Sequence, residues 1–182
     1  ESSLEITKNP FLISFLNFEN HKKKNIKINL RGKVDENDNI EIDKIFLKDE
    51  LNNIKIENII FNKDFKIVSL KKAQFDYFDV ENIKNNFQII HKDKKFYLEG
   101  KFFNANNLID VLLNKENNEN SLPFKNQFRL NVNLEKVQLD RDSLVKNFKG
   151  YLVFKNQNLS QANLSGSFLD IGEIKLTINS IN

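Results

Sequence analysis

Cysteine, methionine and tryptophan are all absent from these 182 residues, while proline and histidine occur twice each and glycine five times. Without cysteine there is no disulfide, no thiolate metal ligand and no cysteine nucleophile; the absence suits cytoplasm and periplasm alike. The two histidines, His21 and His91, each lie beside lysines, with no Asp, Glu or Ser at a spacing that suggests a catalytic triad. No phosphate loop, nucleotide-binding glycine motif or His-Glu-x-x-His helix is present. Asp140 and Asp142 read as turn residues rather than an acid–base pair. The acidic run from Asp35 to Asn39 lacks the central glycine and final glutamate of a calcium loop. Long hydrophobic runs are missing too. The most apolar stretch, Phe11 to Leu16, falls far short of the roughly 20 residues that a membrane span needs. Nothing here points to catalysis, and the chain is expected to use no metal or cofactor and not to be an enzyme.

An excess of one charge is also lacking. The 28 basic and 25 acidic residues leave a net +3, too even for the concentrated basic face of a nucleic-acid binder. The basic run from His21 to Lys24 reads as a solvated hairpin end.

What the chain does have is apolar material: 40% hydrophobic residues, 17 of them Phe, enough for a sizeable core and too much for a disordered chain. Heavy use of Phe, Lys, Asn and Ile matches an AT-rich coding sequence, so the lysines carry less functional weight than their number suggests. The length suits one β-rich segment over 1–182, with 1–25 the least legible part. The start at Glu1 and the end just after a strand-like run suggest an internal fragment of a longer protein.

Four of the five glycines share one setting, apolar-x-Gly-x-apolar: Leu30-Arg31-Gly32-Lys33-Val34, Leu98-Glu99-Gly100-Lys101-Phe102, Phe148-Lys149-Gly150-Tyr151-Leu152 and Leu164-Ser165-Gly166-Ser167-Phe168. Side chains alternate along a strand, so this spacing predicts that Leu98, Gly100 and Phe102 share a face. Glycine inside a strand marks a bend, a bulge or a close approach. Gly32, Gly100 and Gly166 lie 68 and 66 residues apart, which suggests a repeated β unit.

Alternation predicts strands at 26–34, 40–47, 54–61, 65–70, 73–80, 87–91, 96–103, 128–134, 148–154, around Gly166, and 174–178, with short polar connectors. One helix is predicted, from a cap at Asn104 or Asn106 through the stripe Leu108, Ile109, Val111, Leu112 and Leu113. The fold class is therefore mainly β: an antiparallel meander forming a curved, groove-like sheet with one short helix. About ten strands with one apolar face need cover, and a single helix is far too short to supply it. The sheet must either close into a sandwich or barrel, serving as a scaffold or adhesin module, or curl into a trough.

The order Phe128 to Leu139, Leu144 to Leu152, then Ala162 to Phe168, together with the Leu98 to Ala105 strand leading into a helix, resembles the AsmA-like envelope proteins of Gram-negative bacteria. The likeness is to the YhdP-like branch, related to TamB, and covers 26–182 in style and 96–170 in detail. That resemblance implies a non-enzymatic β-groove in the periplasm. It implies an inner-membrane anchor lying outside this segment, and a role in phospholipid transport and outer-membrane maintenance. The partners it implies are phospholipid acyl chains and outer-membrane components. Shielding about 15 methylenes from water is worth on the order of 12 kcal/mol, which an apolar groove can supply without polar specificity. The residues expected to line it are Ile28, Leu30, Phe96, Leu98, Phe102, Phe128 and Leu130. Val132, Phe148, Leu152, Phe154, Leu164 and Phe168 complete the lining.

Overall fold

Polar–apolar alternation, short Asn- and Asp-rich connectors and few glycines drive most of the chain into paired strands. A computed structural model describes residues 2–6, 12–13, 16–19, 26–113, 127–155, 158–168 and 171–179. Its strands are β1 (Ser2–Ile6), β2 (Leu12–Ile13), β3 (Phe18–Glu19), β4 (Ile26–Val34), β5 (Ile40–Lys48), β6 (Asn53–Phe61) and β7 (Ile67–Phe78). They continue with β8 (Lys84–Lys92), β9 (Lys95–Asn104), β10 (Phe128–Gln138), β11 (Leu144–Lys155), β12 (Asn158–Phe168) and β13 (Gly172–Asn179). The one described helix, α1 (Asn106–Leu113), follows β9. Eleven strands form a single sheet in the order β1-β4-β5-β6-β7-β8-β9-β10-β11-β12-β13, and β2 and β3 pair only with each other. Because β1 and β13 do not pair, the sheet stays open: a curved meander, not a barrel. The basic run 21–24 and residues 114–126 lie outside the described residues.

Every neighbouring pair in the large sheet is antiparallel except β9 and β10, which run parallel. The expected all-antiparallel meander is broken there because the chain leaves β9 into α1 and must cross back before starting β10. Asn104 supplies the helix cap: its side-chain oxygen accepts the Asn106 N–H at 3.3 Å, while Ala105 accepts the first helical bond from Ile109 at 2.9 Å.

Two strands expected separately, 65–70 and 73–80, are one. β7 runs unbroken through Lys71 and Lys72, which mark a change of phase rather than a turn. Apolar residues face inward at Leu70 and then at Ala73, Phe75 and Tyr77, so both lysines turn outward. The same switch occurs in β5 at Asp43-Lys44 and in β6 at Glu57-Asn58, and Lys44, Glu57 and Lys72 stand side by side. A second line of switches crosses β9 at Lys101-Phe102, β10 at Glu135-Lys136 and β11 at Lys146-Asn147. Each of these six strands thus presents one apolar face despite a change of parity along its length.

Three glycines sit at register shifts. Gly32 adjoins the shift between β4 and β5, Gly100 the one between β8 and β9, and Gly166 lies across from the bulge in β11, where Asn147 and Phe148 together oppose it. Bulges sharpen local twist and bend a sheet. At Gly100 an added Cβ would lie 2.5 Å from the Asn86 carbonyl oxygen and from the Phe87 Cα. At Gly150, with φ of 140°, it would lie 2.0 Å from the Asn163 oxygen. Neither position has room for a side chain.

Candidate functional site

Two rows of side chains cross the apolar face perpendicular to the strands. One runs Ile28, Leu47, Ile54, Phe75, Phe87, Gly100, Leu134, Phe148. The other runs Leu30, Ile45, Ile56, Ala73, Ile89, Leu98, Val132, Gly150, Leu164, Leu176. Directly opposed residues in a sheet point to the same side, so Leu30, Leu98 and Leu164 face one interior, and Phe148, two residues from Gly150, joins them. Aromatic rings thicken the first row: Phe75 stacks on Phe87 at 4.7 Å between centroids, and Phe87 meets Phe103 at 4.7 Å. At the other end of the strands, Phe96, Phe128 and Phe154 form a second run, 5.7 and 4.8 Å apart.

Of the thirteen lining residues expected from sequence, twelve lie on this face. Phe102 does not. Its neighbours are Asn86 in β8 and the exposed Lys136 in β10, so it belongs to the polar face; the phase switch at Lys101-Phe102 turns Phe103 inward instead. Phe96, Leu98, Val132, Phe154 and Leu164 are buried, whereas Ile28, Phe128, Leu130, Phe148, Leu152 and Phe168 are half-buried and Leu30 is exposed. Sequence reading missed Phe75, Phe87, Tyr77, Phe103, Val137 and Val145. Only cross-strand register could have found them, because it shows which residues extend each row.

The side chains least accessible to water, Tyr77, Phe18, Leu134, Val137, Val145 and Asn85, gather at the end of the strands where α1 lies. A polar knot is buried among them. The Asp79 carboxylate accepts the N–H groups of Glu81 (3.0 Å) and Ile83 (2.9 Å) on one oxygen and the side-chain amides of Asn85 (3.1 Å) and Asn104 (2.9 Å) on the other. The Asn104 N–H is in turn donated to Asn85 Oδ1 at 2.7 Å. The knot ties the β7–β8 turn to the end of β9 and so to the helix cap. Its buried polar groups are paired, which a stable interior requires. Beside it, burial first and the nearby Asp79 second push the Tyr77 hydroxyl above its ordinary pKa, so it stays a neutral donor.

A cavity of about 1170 Å³ is lined mainly by polar side chains, with Phe75, Phe87, Leu134 and Ile174 also on its wall. Gln74, Gln88, Glu99, Asn133, Lys149 and Ser165 line it in one row, and Asp76, Asn86, Lys101, Glu135 and Ser167 in the next. Among the described residues no cluster of three or more acidic, His or Cys side chains could hold a metal, and no helix is long and apolar enough to cross a membrane. No family model, curated protein or solved structure matches the chain.

Proposed function

We propose that this chain is a non-enzymatic segment of a groove that carries phospholipid acyl chains in the periplasm. The observation that carries the reading is the pair of apolar rows running across an open sheet. The longer row crosses ten strands, roughly 43 Å at about 4.8 Å per strand, which is ample track for an extended acyl chain. Its ends are uncovered: Leu30 is 37% exposed and Leu176 48% exposed. Head groups would stay at the open seam, in water, while the tails lie along the row. The AsmA-like resemblance supports the same reading, with an inner-membrane anchor outside this segment, outer-membrane components as partners, and outer-membrane maintenance as the outcome.

A scaffold module is the second reading, favoured by the deep burial of Leu98, Val132, Leu134 and Leu164, which is how a packed core behaves. One double assay separates the two. A photo-crosslinking residue at position 130 or 152 should capture phospholipid, and Leu130→Asp and Leu152→Asp should abolish capture while the domain stays folded. If no lipid is captured and both substitutions unfold the domain, the face is an ordinary core and the scaffold reading stands.

A further inference from the structure

We propose that the basic β8–β9 turn seats the phosphate of the lipid head group, beside the Leu130–Leu152 end of the apolar face. The inference rests on the acyl-chain reading above and deepens it by naming the anionic group that comes with the tails. The even charge balance of the whole chain hides an uneven distribution along the strands. Where β8 meets β9, His91, Lys92, Lys94 and Lys95 are all exposed, and the exposed Lys155 closes β11 at the same end of the sheet. Asp93 is the one carboxylate among the described residues of 91–95, 127–129 and 155–158. At the other end of these strands, Asp79, Glu81, Asp140 and Asp142 outnumber Lys84 and Arg141. The acidic β4–β5 turn shares the basic end, but β6 and β7 stand between it and β8.

The turn joins this charge to the apolar face. His91 lies directly opposite Phe96, so its ring is on the apolar side. It stacks on Phe96 at 4.6 Å between centroids, and the ladder continues through Phe128 to Phe154. An exposed hydrogen-bonding ring thus ends a run of three phenyl rings, with the half-buried Leu130 and Leu152 beside them. That is the chemistry of a junction between tail and head group. The imidazole can donate to a phosphate oxygen, and the lysines supply charge-assisted donors. Asp93 and Lys94, at φ of 51° and 61°, make the tight turn that sets Lys92 directly across from Lys95. Like charges so placed destabilise a sheet, and an anion between them would relieve the repulsion. Among the described residues, none of the three lysines of this turn is in an ion pair.

The test is photolabelling of the folded protein by two lipids with the same diazirine-bearing tails, phosphatidic acid and diacylglycerol, in dodecyl maltoside micelles. Labelling near Leu130 and Leu152 is followed by mass spectrometry against lipid concentration. Phosphatidic acid should half-saturate at a roughly tenfold lower concentration than diacylglycerol, the scale expected when more than one lysine meets an anionic head group. Combining Lys92→Gln, Lys94→Gln and Lys95→Gln should abolish that preference and leave the melting temperature unchanged. Combining Lys27→Gln, Lys48→Gln and Lys71→Gln, which removes the same charge from exposed sites elsewhere, should keep it. Equal half-saturation by the two lipids in wild type would overturn the phosphate seat and leave the groove reading intact. A preference that survives in the first triple variant, or is lost in both, would do the same. No label from either lipid would overturn the groove reading, and the seat with it. Saturation of the Lys94 amide shift by micromolar inorganic phosphate in lipid-free protein would assign the turn to free phosphate and overturn the head-group seat.

Discussion

The two ends of the apolar face are built differently. At the Tyr77 end, a helix, a hairpin and a polar knot cover strands whose inward side chains are sealed from water. At the Leu130–Leu152 end no such knot is present among the described residues, and several apolar side chains stay half-buried. Apolar side chains reach the same face at both ends of the strands, so alternation alone does not determine packing. What differs is the cover supplied by segments outside the sheet. The covered end has the character of a core, whereas at the other end buried Phe96 and Phe154 stand beside half-buried Leu130 and Leu152.

The largest effect should come from placing the same charge at each end. Val137→Asp buries an unpaired carboxylate in a fully enclosed site and is expected to cost about 4 kcal/mol or more, enough to prevent folding. Leu130→Asp, with a route to water, should cost about 1–2 kcal/mol. Thermal melts of the two variants measure the contrast; equal losses would erase it. Next comes the knot. Asp79→Ala removes the shared acceptor, leaving the Asn85 amide with only the Ile83 carbonyl and the Asn104 amide with only the Glu81 carboxylate, for an expected loss of about 2–4 kcal/mol. Asp76→Ala, whose exposed ion pair with Lys84 spans 2.6 Å, should cost no more than about 1 kcal/mol. Urea midpoints of the two variants test this.

Much of this architecture could be read in the sequence. The alternation of Phe128, Leu130, Val132 and Leu134 fixes a strand and its apolar face, and the Leu108–Leu113 stripe fixes the helix. The shared setting of the glycines anticipated where the sheet bends. Phase switches were harder to read, because Lys71-Lys72 looks like a turn and Phe102 and Phe103 are chemically identical neighbours. A choice between them depends on strand pairing, which is a long-range property. The knot was illegible for a similar reason: Asp79, Asn85 and Asn104 are ordinary turn and cap residues until the fold brings them together. Leu16 and Phe18 could not be distinguished from a free strand or a short helix without the surface that receives them.

The glycines give a smaller, sharper contrast within the same sheet. Gly150→Ala would drive a methyl group into the Asn163 carbonyl and force a strained backbone, which should cost roughly 3 kcal/mol. Gly172→Ala, at φ of 91° but with open space around it, should cost only the conformational strain, about 1 kcal/mol. Chemical denaturation of both variants checks the difference. If the losses match, crowding is not what selects glycine at position 150.

The smallest expected effect is a response to acid at turns on the two ends. In the β4–β5 turn, the Asp35 carboxylate is held below its ordinary pKa chiefly by a hydrogen bond from the Asn39 side chain. In the β10–β11 turn, Asp140 is held down chiefly by the Ser143 hydroxyl. A carboxylate whose pKa is depressed by folding stabilises the native state above its unfolded value, and that stabilisation is lost as pH falls through the folded value. Both turns should therefore be indifferent to pH between about 5 and 8 and loosen below about pH 4. Asp35 Oδ1 accepts the Asn39 N–H at 2.9 Å, and Asp140 Oδ1 accepts the Asp142 N–H at 2.9 Å. An NMR titration should show these two amide resonances moving together in acid, while Val137 and Val145, buried between the turns' strands, stay fixed. Movement of Val137 over the same pH range would mean that the Asp140 turn is coupled to the covered end, and that this end is less firmly closed than its burial implies.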